Sequence, residues 1–498
     1  MITQDDFFRY YYGGQKMVLD AIIKELGITG DFENKEVTFI TDNSAKVCEG
    51  CIFICIEGRR FDGHTKAAEA LEKGAAAVVV QKDLGLKNQI LVENTRSAYA
   101  KICAAFYGHP ERKLRIIGVT GTNGKTTSCF IIKSVLDKLG HKTGLIGTVK
   151  NIVGDKEYPA VLTTPDCYEL FGLFNEMAEY GCEYCVMEVS SQALDQRRVD
   201  GVHFDAAIFT NLTRDHLDYH GSFENYKAAK RMLFENSDVA ILNIDDEAAW
   251  EMVEGTNCRA VTCSVENNNC DYSAKNIRIA ASGVKYELVS NANIGRVKFG
   301  VPGKFSVYNS MGAAVCLIEM GMDFREVLEA LAECKGIPGR MEIVPTETPY
   351  TVIIDYAHTP DGLENVLNCV REITEGRVIT VFGCGGDRDK TKRPIMGDIA
   401  TKLSDIAVIT SDNPRSEDPE SIIEDITAGI GKHGAKVIVD SDRTGAIRKA
   451  LESAREGDIV ILAGKGQETY QILASGKIHY DEREIVAQIL SEKVGENK

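Results

Sequence analysis

Gly118-Val119-Thr120-Gly121-Thr122-Asn123-Gly124-Lys125-Thr126-Thr127 lies between an apolar run, Arg115 to Thr120, and a stretch whose helical spacing puts Phe130, Ile131, Val135, Leu136 and Leu139 on one face. Between a strand and a helix a glycine-containing turn stands where a phosphate-binding loop belongs, the competing reading being a chance turn. Glycines let main-chain N–H groups converge on phosphate oxygens, the helix N-terminus adds its partial positive charge, and Lys125 reaches the terminal phosphates. Thr126 offers a hydroxyl to Mg²⁺. The strict pattern G-x-x-x-x-G-K-[ST] asks for glycine at position 119, where this chain has Val119. The candidate nucleotide contacts are Gly121, Thr122, Asn123, Gly124, Lys125, Thr126 and Thr127.

On either side of this loop the strand, turn and helix pattern repeats. Strands are expected at Tyr184 to Val189, Ala206 to Thr210 and Val239 to Ile244, an antiparallel insertion at Ala274 to Phe299, and helices at Ser310 to Met320 and Phe324 to Cys334. A further series of five strands begins after Pro338: Thr351 to Asp355, Val378 to Phe382, Ile406 to Thr410, Val437 to Val439 and Ile459 to Leu462. Ahead of the loop, four short apolar strands between Val37 and Val92 enclose a helical stretch near Thr65 to Lys73. Such alternation predicts an α/β protein with mostly parallel sheets. At 498 residues the chain has room for about three domains. Changes of pattern place their boundaries near 94 and 342.

Lys+Arg 57 against Asp+Glu 74 leaves a net charge of −17, which argues against a nucleic acid or an anionic membrane as partner. No apolar stretch reaches the ~18 residues of a spanning helix. Met1 to Tyr12 has acids and aromatics where a signal peptide needs a basic stretch and an apolar run, so the chain reads as cytoplasmic. Its 15 cysteines include two C-x-x-C pairs, Cys48/Cys51 and Cys182/Cys185. Both pairs lie in strand-like sequence and read as reduced buried thiols rather than zinc ligands.

Polar residues gather at the strand ends. Glu188 closes the run Tyr184 to Met187, where a carboxylate completes a Mg²⁺ shell beside a phosphate loop or, taken alone, is a solvated turn acid. Asn211 to Gly221 offers Asp215, His216, Asp218 and His220. Lys230 on the following helix reads, from spacing alone, as part of a solvated face. Asp355 to Pro360, Gly383 to Arg388, Asp412 to Arg415 and Gly464 to Glu468 each follow a strand of the last series, where open α/β sheets bind ligands.

Together Gly121 to Thr127, Glu188-Val189-Ser190-Ser191, His216 to Gly221, Asp355-Tyr356-Ala357-His358 and Gly464-Lys465-Gly466 resemble, in order and nearly end to end, the Mur ligase family of ATP-dependent amide ligases in peptidoglycan precursor synthesis. Thr163-Thr164-Pro165-Asp166 and Asp412-Asn413-Pro414-Arg415 are similar to the branch that adds meso-diaminopimelate as third residue. The resemblance implies three domains: a small α/β UDP-binding domain (1–94), a central P-loop mononucleotide-binding domain with a parallel sheet (95–342) and a C-terminal Rossmann-like domain (343–498). It implies a UDP-muramoyl-peptide site at Ser44, Asp62, Gly63, His64, Thr163, Thr164, Ser190, Gln196 and Arg198. Further ATP contacts would be Asn309, Arg340, Asp355 and His358, and diaminopimelate contacts Arg388, Asp412, Asn413, Arg415, Gly464 and Glu468. Lys125, Glu188, His216 and Lys230 would be catalytic. Two Mg²⁺ ions would be held by Thr126, Glu188, His216 and Lys230, the last as a CO₂-derived carbamate. The implied substrates are ATP, UDP-N-acetylmuramoyl-L-Ala-D-Glu and meso-diaminopimelate, and the implied enzyme is a monomer.

The competing readings are the L-lysine-adding form and a sister Mur or folylpolyglutamate ligase, which share the phosphate loop. A nucleotide switch without turnover needs N-K-x-D after the loop; the closest string, Asn34-Lys35-Glu36-Val37, precedes it and lacks the aspartate.

Overall fold

The structure, a computed structural model, describes residues 16–28, 32–58, 61–280, 282–334, 336–374 and 376–496; the signal-peptide reading of Met1 to Tyr12 lies outside the described residues. The chain divides into two compact units, one running to Thr262 and including Val315–Gly321, the other comprising Cys263–Ala314 and Met322 onward.

The first unit begins with a parallel sheet in the order β1 (Phe39–Thr41), β2 (Cys51–Ile54), β3 (Ala77–Val80), β4 (Gln89–Leu91). β2 and β3 are buried at every residue, the reason they read as unbroken apolar runs instead of alternating ones. Helix α1 (Thr95–Phe106), capped by the Asn94 side chain accepting from Arg96 and Ser97 N–H, leads into the second sheet and was not visible as a sequence pattern. One hydrophobic core runs from Leu19 on the first sheet's side to Met252 beyond the second. At the seam the Phe39 and Tyr168 rings meet edge to face at 4.8 Å.

The first eight strands of the second sheet have the order β8 (Lys156–Pro159), β7 (Lys150–Val153), β6 (Thr143–Ile146), β9 (Tyr184–Glu188), β5 (Arg115–Thr120), β10 (Phe204–Phe209), β11 (Ser237–Asn243), β12 (Arg259–Ser264). β5 runs parallel to its neighbours β9 and β10, as expected from its sequence. Helices α2 (Lys125–Lys138) and α3 (Cys167–Tyr180) follow β5 and β8, and α4 (Phe223–Arg231) lies between β10 and β11. The carboxyl ends of β6, β9, β5 and β10 thereby bring Thr148, Glu188, the Gly121 loop and Asn211 side by side.

In the second unit β13 (Tyr272–Ala280), β14 (Gly283–Ser290) and β15 (Ile294–Phe299) form the anticipated antiparallel insertion. Helix α5 (Lys304–Glu319) starts at Lys304, directly after Pro302-Gly303, not at Ser310, so Asn309 sits within the helix. The last sheet has the order β16 (Glu342–Val344), β17 (Thr351–Asp355), β21 (Ile459–Ala463), β18 (Val378–Phe382), β19 (Ile406–Ile409), β20 (Lys436–Val439), all parallel except β16. This order makes β17, β21, β18 and β19 direct neighbours, so the four polar loops leave one edge of the sheet together. Helix α6 (Arg443–Ser453) follows β20.

Cys51, Cys182 and Cys185 are buried and Cys48 is half-buried. Among the described residues no helix is long and apolar enough to cross a membrane.

Candidate active site

β5 continues through Thr120, so the phosphate loop proper is Gly121 to Gly124, and Val119 is a buried strand residue paired between β9 and β10. That is why the strict spacing fails there. Gly124, at φ +90°, caps α2. Gly121, at φ +145°, leaves no room for a side chain: a Cβ would lie 1.9 Å from Thr210 Oγ1. Gly121→Ala is expected to cost roughly 3 kcal/mol through this clash and the unfavourable φ, read as a lowered Tm; an unchanged Tm would mean the loop relaxes at no cost. Lys125 folds over the loop, its Nζ donating to the carbonyls of Gly121 (2.9 Å) and Thr122 (2.8 Å). Asn123 N–H donates to Asn211 Oδ1 at 2.9 Å, tying the loop to the end of β10.

Glu188 is the last residue of β9 and is 1% exposed, so the solvated-acid reading fails. Its Oε2 accepts from Thr126 Oγ1 (2.9 Å) and Thr148 Oγ1 (3.0 Å), and its Oε1 from Thr148 N–H (2.8 Å). No cationic side chain pairs with it among the described residues. A buried carboxylate held only by neutral donors fits a divalent cation, whose charge would complete it. Thr126, with its proton on Glu188, keeps lone pairs for the same ion.

Lys230 is 1% exposed. Helix α4 buries Tyr226, Ala229 and Lys230, an i, i+3, i+4 stripe, so the lysine occupies a core-facing position rather than the solvated face its residue type suggested. Its Nζ donates to Gly121 O at 2.7 Å and lies 4.5 Å from the centre of the Tyr226 ring. Burial, followed by repulsion from Lys125, holds its pKa well below the usual lysine value, which favours the neutral, nucleophilic amine. His216, at φ +53° and partly exposed, meets the other side of this group, its ring 6.3 Å from that of Tyr226. The Tyr226 hydroxyl contacts Thr122 Oγ1 at 3.0 Å. Tyr226 therefore joins the loop, His216 and Lys230, a linking role the sequence reading missed. Its apolar stripe with Ala229 was the available signal. His220 is buried, with Nε2 2.9 Å from Ser191 Oγ; of Asp218 only the backbone is described.

The residues matched to the muramoyl dipeptide converge. Thr163 Oγ1 is 3.0 Å from Thr148 Oγ1. Thr164, fully buried, donates its hydroxyl to Glu188 O (2.8 Å) and accepts from Ser190 N–H (3.0 Å), so its side chain staples the loop to β9. Arg198 donates to Thr164 O (2.7 Å) and Gln196 Oε1 (2.7 Å), and Gln196 donates to the Tyr219 hydroxyl at 3.0 Å. In the first sheet, Ser44 and Asp62-Gly63-His64 follow β1 and β2. Gln81 N–H donates to His64 Nε2 (3.0 Å), so Nδ1 carries the proton and donates to Asp62 Oδ1 (2.6 Å). Lys82, at 2.7 Å from Oδ2, and then His64 hold the Asp62 carboxyl below its usual range.

In the second unit, Asp355 ends β17 with both oxygens accepting main-chain N–H, from Met341 (2.7 Å) and Ala357 (2.8 Å). Burial raises its pKa, and Arg340 opposes this. Arg340 lies over the Tyr356 ring at 4.6 Å, and His358 Nδ1 donates to Tyr356 O at 2.9 Å. Asn309 is buried on α5.

Along the same sheet edge, Asn413 Nδ2 donates to Glu468 Oε2 (2.8 Å), and the fully buried Lys465 donates to both Asn413 Oδ1 (3.2 Å) and Glu468 Oε2 (3.1 Å). The Gly464-Lys465-Gly466 motif by itself assigns Lys465 no role; its place is to lock these two residues together. Asp412 is buried with Oδ2 unpartnered, beside Gly464, where a Cβ would come within 2.8 Å of it. Arg415, half-buried at φ +54°, donates Nη1 to Gly386 O at 2.8 Å, and among the described residues no carboxylate pairs with its guanidinium. Arg388 is exposed and donates to Asp387 O, the side chains of both arginines flanking Gly385. Beneath the loops, buried Arg443 of α6 donates to Ser411 O (3.1 Å) and Ala463 O (3.0 Å) and pairs with Glu482 at 2.8 Å, fixing the ends of β19 and β21 to each other.

Comparison with known proteins gives three matches to family profiles: "Mur ligase family, catalytic domain" over residues 36–107, "Mur ligase middle domain" over 119–317 and "Mur ligase, glutamate ligase domain" over 339–466. The chain is 46% identical over 486 residues to the UDP-N-acetylmuramoyl-L-alanyl-D-glutamate--2,6-diaminopimelate ligase of Clostridium botulinum, covering 96% of this chain and 100% of that protein. It is 46% identical over 490 residues to the ligase of the same name from Clostridium perfringens, with the same coverage. A solved structure of a ligase of this name superposes with a TM-score of 0.71 at 32% identity, covering 96% of this chain and 99% of that one.

Proposed function

The chain belongs to the Mur ligase family, and from that premise we propose that it uses ATP to join meso-diaminopimelate to the D-Glu γ-carboxylate of UDP-N-acetylmuramoyl-L-Ala-D-Glu. The three-part division at 94 and 342, with UDP, ATP and amino-acid binding assigned in turn, belongs to the same proposal. The observation that carries it is the buried Glu188 carboxylate, held by Thr126 in the first turn of α2 and, through Thr148, joined to Thr163.

The phosphate-loop amides and Lys125 orient the triphosphate and offset charge on the γ-phosphoryl group as the substrate γ-carboxylate attacks it. The products of that step are an acyl phosphate and ADP. The diaminopimelate amine then attacks the acyl carbon, an amide forms and phosphate leaves. Mg²⁺, when bound, neutralises phosphate charge; Thr126, Glu188 and His216 are its proposed holders. Lys230 completes them as a carbamate: its neutral amine adds to CO₂, forming N–CO₂⁻ and releasing a proton, which turns a neutral nitrogen donor into an anionic oxygen ligand. For the amine, Arg415 grips the far-end carboxylate that lysine lacks, while Arg388, Asp412, Asn413, Gly464 and Glu468 hold the other carboxylate and the ammonium groups.

The test is phosphate release from ATP with the UDP-muramoyl dipeptide and either meso-diaminopimelate, L-lysine, D-alanyl-D-alanine or no amine. Release with diaminopimelate alone is expected. Release only with lysine would move the chain to the lysine-adding form, release with the dipeptide amine to a sister ligase, and silence throughout would overturn the assignment.

A further inference from the structure

Gly147 and Thr148 follow β6, next to Glu188 at the end of β9. A Cβ at position 147 would lie 2.4 Å from Glu188 Oε1, so the chain passes Glu188 at a distance only glycine allows. That approach delivers both donors of Thr148 to one carboxylate, N–H to Oε1 at 2.8 Å and Oγ1 to Oε2 at 3.0 Å. A third contact reaches outward, from Thr148 Oγ1 to Thr163 Oγ1 at 3.0 Å.

Proton accounting orients this chain. Glu188 Oε2 accepts from Thr148 Oγ1, and a threonine hydroxyl has one proton to give. Thr148 spends its proton on Glu188, so between the two threonines Thr163 is the donor. The Thr163 proton is then committed, and what Thr163 shows a ligand is a pair of acceptor sites. Thr164 cannot substitute, since it is fully buried, its hydroxyl donating to Glu188 O and accepting from Ser190 N–H.

We propose that Thr148 is a positioning residue that couples the metal-site carboxylate Glu188 to the substrate-contacting hydroxyl of Thr163 and sets Thr163 as an acceptor, so that it receives an amide N–H of the peptide stem. A carboxylate or carbonyl is excluded from that contact. The inference rests on the ligase reading above and names a specificity device within it.

Thr148→Val keeps the shape and removes the hydroxyl; Thr148→Ser keeps the hydroxyl. The valine variant is expected to lose kcat/KM for the UDP-muramoyl dipeptide by on the order of 10- to 100-fold, the range for a hydrogen bond to a charged group. It should also need more Mg²⁺ for half-maximal rate while its KM for diaminopimelate stays within about twofold and its Tm is kept. The serine variant restores both parameters. The polarity claim is read with a depsipeptide analogue, in which an ester oxygen replaces the alanyl–glutamyl N–H. The wild-type enzyme should bind it about tenfold more weakly than the amide, and Thr148→Val should show a smaller penalty because Thr163 can then turn its proton outward. Wild-type turnover with an unchanged Thr148→Val, or an ester penalty equal in both proteins, overturns the inference alone. A wild-type protein silent with every amine overturns the ligase reading and this inference with it.

Discussion

Lys230→Ala is expected to lower kcat by at least about 10³-fold, comparable with removing a preorganised group that stabilises transition-state charge, and added bicarbonate should not restore it. The wild-type enzyme should itself respond to bicarbonate. Stripped of CO₂ it should lose activity and regain it on addition, and ¹³C-bicarbonate should give a carbamate resonance absent from the alanine variant. The structural basis is a lysine 1% exposed, seated on Gly121 O and driven toward neutrality by burial and by Lys125. Near-normal activity in Lys230→Ala would mean that the lysine only braces the phosphate loop.

The same shift has a consequence for stability. With the folded-state pKa below the unfolded value near 10.5, the unfolded chain binds more protons in the window between the two values, so stability rises with pH across that window. Below the folded-state value the full cost of burying an ammonium is present. In CO₂-free buffer Lys230→Met should flatten this rise; an unaltered slope in denaturation curves between neutral pH and pH 10 would assign it to other groups.

Arg415→Met is expected to reduce kcat/KM for meso-diaminopimelate on the order of 10³-fold, as when one partner of a buried charge pair is removed, while any rate with L-lysine changes by less than about threefold. The guanidinium is held by main-chain carbonyls, Gly386 O at 2.8 Å, and these leave its charge for a ligand. Because Arg415 N–H also donates to Ile472 O at 3.0 Å through the main chain, the substitution keeps the loop in place, and Tm should hold. Equal losses with both amines would make Arg415 a loop strut rather than a reader of the second carboxylate.

Much of the architecture could be read from periodicity. β5 at Arg115–Thr120, β17 at Thr351–Asp355 and β18 at Val378–Phe382 have the expected bounds because a strand buried on both faces is a continuous apolar run ended by a polar or glycine turn. α1 escaped notice because its buried face is built from Ala98, Ala104 and Ala105 among larger residues, which blunts the apolar contrast that marks a helix. The phosphate loop, Glu188 and the four strand-end loops were visible as local chemistry. The role of Lys465 was not, because its partners Asn413 and Glu468 belong to the loops after β19 and β21, which the sheet order separates by β18.

Local sequence was enough to set the strands, the glycine turns and the polar residues at strand ends, since each depends on neighbours a few positions away. It also carried the family, through motifs spread along the whole chain. Only the tertiary structure decided which protons and charges are committed. Glu188 is a buried carboxylate because β9 lies between β6 and β5, and Lys230 is a desolvated amine because α4 turns its Tyr226 face onto the phosphate loop. Thr163 offers an acceptor because Thr148, from another strand end, has already spent its proton. Burial and hydrogen-bond direction arise between residues distant in sequence, and those two quantities give ordinary side chains their chemistry here.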